Sequence, residues 1–244
     1  MILFLMQSKK IQKNFFVISF MLLLYIAITI TLWKNSQNLT DGATNYPLDD
    51  TYIHMAMARH FVTSGRWSID LTNFTSTSSS PLWTLILASA YRYFGILDWL
   101  PLGLNMVIGL IALIIAYQLL AMRAKTLELI ISGICIVLFT SLPVLTLMGM
   151  EHTLHALLTT VILWTGSLFI SPKNAKPFLR SSFLVICALL PITRYEGFFL
   201  LSCIVVALLY QRRWTDGLMV SLAGISLVSI YGFISIAHGW GFFT

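Results

Sequence analysis

Two adjacent carboxylates open the chemistry of this chain: Asp49 and Asp50, in the run Pro47-Leu48-Asp49-Asp50-Thr51. One aspartate at this place is accounted for as the N-cap of a helix. Two side by side repel unless one holds a proton or both help to hold a cation. A carboxylate so placed serves as a general base, and a pair serves a divalent metal. A third carboxylate, Glu151, stands in Gly149-Met150-Glu151-His152, where it is also a good first-turn helix acid. His152 and His155 fit metal ligation only loosely. The turn Thr193-Arg194-Tyr195-Glu196-Gly197 carries a guanidinium and a carboxylate two residues apart. That spacing allows a simple Arg194–Glu196 pair closing a hairpin. It also allows an arginine that binds the phosphate of an anionic lipid headgroup, which its planar fork suits. The latter is the expectation adopted for Arg194.

The elements that must position these groups are apolar. The 244 residues are 58% hydrophobic and 10% charged, with mean hydropathy +0.86, which excludes an ordinary water-soluble globule. The basic residues sit in short loops between apolar runs, so the net charge of +6 reads as a topology signal and not as a nucleic-acid surface. Uncharged runs at Phe15–Trp33, Trp99–Met122, Leu129–Met150, His152–Pro172, Ser181–Thr193, Gly197–Gln211 and Gly217–Thr244 predict an all-α bundle of seven spans in a single domain, 1–244. The three cysteines, Cys135, Cys187 and Cys203, fall inside these runs and read as buried thiols. Asn38-Leu39-Thr40 and Asn73-Phe74-Thr75 match a glycosylation sequon that often arises by chance.

Residues 34–98 form a long first loop. Within it Ile53, Met57 and Phe61 recur every four residues ahead of Gly65, which predicts a surface-lying amphipathic helix. The weak run from Pro81 to Leu97 decides the topology. Treated as an interfacial helix with Trp83, Tyr91 and Tyr93 at the membrane boundary, it leaves Lys9, Lys10, Lys13, Arg123, Lys125, Lys173, Lys176, Arg180, Arg212 and Arg213 inside, ten of fifteen basic residues. The positive-inside rule favours this arrangement. The N-terminus is then cytoplasmic, in a plasma (inner) membrane, and Asp49, Asp50, Glu151, Glu196 and every histidine, His54 included, fall on the outer face. The runs before and after Arg194 are short, about 20 and 23 Å as helix. That deficit places Arg194 and Glu196 below the outer membrane boundary.

The order of motifs is similar to the C-class (GT-C) integral-membrane glycosyltransferases, which include the protein O-mannosyltransferases and the lipid A aminoarabinose transferases. It consists of an aspartate pair after the first span, Ser80-Pro81-Leu82-Trp83, Gly149-Met150-Glu151 and Thr193-Arg194-Tyr195-Glu196-Gly197. The resemblance covers roughly residues 10–240. It implies inverting transfer of a sugar from a polyprenyl-phosphate carrier to a hydroxyl of a glycan, lipid or protein acceptor. In that reading Asp49 and Asp50 are catalytic, with Asp49 as base, and Arg194 meets the leaving phosphate. Glu196, Glu151, Arg59 and His54 bind substrate, and Asp50 and Glu151 orient the acceptor or hold a magnesium or manganese ion. Arg59 or a divalent metal is the alternative to Arg194. Family members are usually longer, so the resemblance also implies a truncated product, half of a split enzyme, or a compact relative. Two other readings stand beside it: a transporter or flippase, and an inactive remnant or assembly subunit.

Overall fold

The computed structural model describes residues 15–170 and 177–243, with side chains undescribed at 170 and 177–179. Lys9, Lys10, Lys13, Lys173 and Lys176, which anchor much of the topology argument, lie outside the described residues. Among the described residues the chain is helical, without strands. The helices are α1 (Phe15–Leu39), α2 (Asp49–Ser64), α3 (Pro81–Phe94), α4 (Leu100–Ala121), α5 (Thr126–Phe139), α6 (Leu142–Leu147), α7 (His152–Ile170), α8 (Pro177–Thr193), α9 (Gly197–Tyr210) and α10 (Trp214–Ala237).

Three of them, α1, α4 and α10, are long and apolar enough to cross a membrane. Seven spans are therefore not what the helices themselves deliver. The expected span Leu129–Met150 is broken: α5 stops after 14 residues, about 21 Å of rise. Ser141 then takes a left-handed φ of 54° before Pro143 starts α6. Proline has no N–H and disfavours helix in the residue before it, so an apolar run through it need not be one helix. Helices α8 and α9, of 17 and 14 residues, are apolar but short. His152 and His155 in the first turn of α7 make its start polar.

The chain separates into two compact units. The first comprises the described residues of Met1–Pro47 and Pro101–Thr153, and the second those of Leu48–Leu100 and Leu154–Thr244. In the first, Val17, Met21 and Tyr25 of α1 bury against Leu113, Tyr117 and Ala121 of α4 and against Leu129, Val137 and Leu142. Helix α1 continues past Trp33 to Leu39 because no breaker intervenes before Thr40 and Gly42. The Tyr25 hydroxyl sits 2.6 Å from that of Thr146, a buried pair joining α1 to α6. Gly109 faces this tyrosine, where a Cβ would collide with the ring hydroxyl.

In the second unit α10 packs on α8 and α9, α2 packs on α3, and α3 packs on α8. Phe183, Cys187 and Leu190 of α8, Leu201 and Leu208 of α9, and Val220 and Val228 of α10 are buried there. An ionic knot ties three helix ends together. Asp216 takes Arg180 at 2.7 Å and Arg213 at 2.8 Å. Arg213 also donates to the Phe169 carbonyl and lies 5.0 Å over that ring.

Helix α2 begins at Asp49 and ends at Gly65, φ 71°, as the sequence leads one to expect. Its buried face is different from the anticipated stripe. Thr51, His54, Met57 and Ala58 are buried, while Phe61 is exposed and Ile53 half-buried. His54 turns inward, where Ser78 and Ser79 of the facing loop and Thr84 of α3 supply hydroxyl partners. In α3, Trp83 and Tyr91 are core residues, 0% and 2% exposed, and only Tyr93 is exposed as a boundary aromatic would be. Of the three thiols expected to be buried, Cys187 is, and Cys135 and Cys203 are exposed on the chain.

Candidate functional site

Asp49 and Asp50 form the first turn of α2, both exposed. Leu48 in the N-cap position offers no side-chain bond. The two carboxylates lie in the first turn, where the unsatisfied N–H groups of the helix start favour negative charge. Their helix is fixed one turn later. Thr84 Oγ1 lies 2.8 Å from His54 Nδ1 and 2.9 Å from Ser78 Oγ, and donates to the Ser80 carbonyl at 3.2 Å. Ser78 and Ser79 approach the two imidazole nitrogens at 3.3 and 3.4 Å. His54, Ser78, Ser80 and Thr84 are all buried. Since Thr84 has one hydrogen, given to Ser80, the consistent assignment has His54 Nδ1 and Ser78 donating to the Thr84 lone pairs. His54 thus fastens α2 to α3. The Ser80 side chain caps α3 by accepting from the Trp83 N–H.

Arg194 and Glu196 pair with each other. Arg194 Nη2 donates to Glu196 Oε1 at 2.7 Å and Nε to Oε2 at 3.3 Å. The arginine side chain is 28% exposed and the glutamate 56%. The pair closes the hairpin and orients the guanidinium. The hydrogen bond from Arg194 holds the Glu196 carboxyl below its ordinary range. The turn is tight because Gly197 lets α9 approach α8; a Cβ there would meet the Leu190 side chain at 2.7 Å and its backbone at 3.0 Å. His155 of α7 lies within electrostatic reach of both Arg194 and Glu196. Its Nδ1 is buried without a hydrogen bond.

The same end of the second unit gathers the loop after α2 and the tail after α10. Trp67 and Ser76 both contact the Tyr231 hydroxyl at 3.3 Å. Trp240 donates to the Phe74 carbonyl at 2.9 Å, and Phe74 stacks on His238 at 4.3 Å. Phe243 meets the Tyr195 ring edge-on at 5.4 Å. Arg59 is exposed and lines a small cleft beside Tyr91 and Asp98.

Glu151 belongs to the first unit, unlike Asp50. It is fully buried, with His152 Nδ1 3.8 Å from its carboxylate. The Gly149-Met150-Glu151 turn is held by Asn105, whose Nδ2 donates to the Met150 carbonyl at 2.8 Å and whose Oδ1 accepts from the Thr153 hydroxyl. Asn105, buried in α4, escaped the sequence reading. Its signal was there: a lone amide in an apolar span is costly and needs a reason. Thr84 gave no comparable signal. Among the described residues no three His, Cys, Asp or Glu side chains cluster as metal ligands. Asp49 and Asp50, adjacent and exposed, match the one or two carboxylates by which a protein holds magnesium together with waters and substrate phosphate oxygens.

Compared with models of known protein families, with curated proteins and with solved structures, the chain matches none.

Proposed function

We propose that this chain is a membrane glycosyltransferase of the GT-C type, moving a sugar from a polyprenyl phosphate to an acceptor hydroxyl on the extracytoplasmic face. The observation that carries the reading is the acid pair. Asp49 and Asp50 stand exposed on a helix start, shortly after a long apolar helix, and a buried hydroxyl–imidazole network fixes that helix. In this reading α1, α4 and α10 are joined as spans by the broken pair α5–α6 and by α7, α8 and α9. Arg180 and Arg212 snorkel to let the shorter helices reach the inner boundary.

Chemically, Asp49 accepts the proton of the acceptor hydroxyl as its oxygen attacks the anomeric carbon. The bond from that carbon to the phosphate oxygen breaks, its electrons stay on the phosphate, and the configuration inverts. Arg194 neutralises the charge that develops on the departing phosphate, with Arg59 as the second cation of the same unit. Glu196 sets the guanidinium plane, and the phosphate competes with it for donors. Asp50 orients the acceptor. No step is routed through a metal; a magnesium or manganese ion, where bound, would be held by Asp50 and would supply further neutralisation of the phosphate charge.

The test is transfer of labelled sugar from a polyprenyl-phosphate donor in membranes containing the chain. Asp49→Asn combined with Asp50→Asn abolishes transfer while leaving the protein folded, since both side chains are exposed. Unchanged transfer in that double variant overturns the assignment.

A further inference from the structure

Helices α2 and α3 enclose a cleft of about 190 Å³ near the end of α3, lined by Arg59, His60, Tyr91 and Asp98 over Met55 and Ile96. Tyr91 is 2% exposed, and its hydroxyl is buried with no hydrogen-bond partner. A buried hydroxyl left unsatisfied costs enough that native proteins rarely keep one without a reason. Burial pushes its ionisation upward, Asp98 pushes it further, and Arg59 opposes, so the group lies within the field of both charges. His60 is oriented by the Ser68 carbonyl, 3.0 Å from Nδ1. A carbonyl only accepts, so Nδ1 carries a hydrogen.

The cleft therefore offers a cation, an unused hydroxyl donor and a carboxylate within one small volume. A purely anionic ligand meets Asp98 unfavourably, and a purely cationic one meets Arg59. We infer that the cleft seats a dipolar phospho-ammonium group, as in a phosphoethanolamine headgroup, with phosphate toward Arg59 and Tyr91 and ammonium toward Asp98. The surroundings favour a lipid as its source. Tyr93, Phe94, Ile96 and Trp99 are exposed beside it, a membrane-boundary composition. A second groove along the same two helices, about 340 Å³, is walled by Phe61, Val62, Leu85, Ala88 and Tyr93, with Ser89 and Arg92 as its polar members, and offers an acyl chain apolar contact. The inference does not rest on the transfer reading, because lipid retention is measured with no sugar donor present.

The experiment is native mass spectrometry of the detergent-purified full chain with phosphatidylethanolamine or phosphatidylglycerol, and with soluble phosphoethanolamine as competitor. The wild type retains phosphatidylethanolamine roughly tenfold better than phosphatidylglycerol. Asp98→Asn brings the two lipids to parity. Tyr91→Phe lowers phosphatidylethanolamine retention several-fold and, having removed an unsatisfied hydroxyl, raises the melting temperature of the lipid-free protein. These opposite signs separate a ligand-facing hydroxyl from a merely tolerated one. Equal retention of both lipids by the wild type overturns the inference, as does a preference untouched by either variant. Binding of phosphoethanolamine without retention of its lipid overturns the lipid as source.

Discussion

Thr84 offers a sharp test of whether polar satisfaction or shape holds the acid-bearing helix. Its side chain is fully buried. Its hydroxyl contacts His54 Nδ1 at 2.8 Å, Ser78 Oγ at 2.9 Å and the Ser80 carbonyl at 3.2 Å. Thr84→Val keeps the volume and deletes all three bonds. His54 also contacts Ser78 and Ser79 at 3.3 and 3.4 Å, which compensates in part. Weakening two buried polar groups costs about 1–3 kcal/mol for each one left unsatisfied, so with partial compensation the variant loses ~2–3 kcal/mol. Thr84→Ser keeps the bonds and removes one methyl, a loss of ~1 kcal/mol. Thermal unfolding of the purified protein in nanodiscs then ranks wild type above Ser above Val, with Val some ~4–10 °C below wild type. If packing volume were what mattered, Val would rank above Ser. Finding that order would refute the claim that a hydrogen-bond network fastens α2 to α3.

Further outcomes follow from the same geometry. Since the Glu196 carboxyl is held below its ordinary range by Arg194, the contribution of the pair is present above the ordinary glutamate value of about 4.3 and disappears as pH falls through the lower folded value. The stability difference between wild type and Glu196→Gln is accordingly flat from neutral pH to about pH 5 and vanishes only in stronger acid; a loss already at pH 6 contradicts the pairing. In transfer assays Glu196→Gln binds the donor lipid more tightly, because the phosphate no longer competes for the Arg194 guanidinium, whereas Arg194→Gln weakens donor binding. Asp216→Asn leaves Arg180 and Arg213 facing each other without their shared carboxylate and destabilises by ~1–3 kcal/mol. Arg213→Gln costs more than Arg180→Gln in the same melts, since Arg213 also holds the Phe169 carbonyl.

Much of the architecture was written in local chemistry. An all-helical chain, the three helices that are long and apolar, the start of α2 at an aspartate pair, its end at Gly65 and the Ser80-Pro81 beginning of α3 all depend on residues within a turn or two of each other, and capping, proline and glycine act at that range. Hydropathy alone read Leu129–Met150 as one helix, because it sums apolar residues and is blind to Ser141 bending the backbone ahead of Pro143. The face each helix buries was decided elsewhere. His54 went inward because Ser78 and Thr84, some 24 and 30 residues on, brought hydroxyls to meet it; Trp83 and Tyr91 are buried in α3, which packs on α2 and α8. Asn105 found its partners at Met150 and Thr153 across a comparable separation. Composition and spacing thus determined which elements exist and which side chains have chemistry to offer. Tertiary structure chose the partners, since the cost of burying a polar group depends on what the rest of the chain places opposite it.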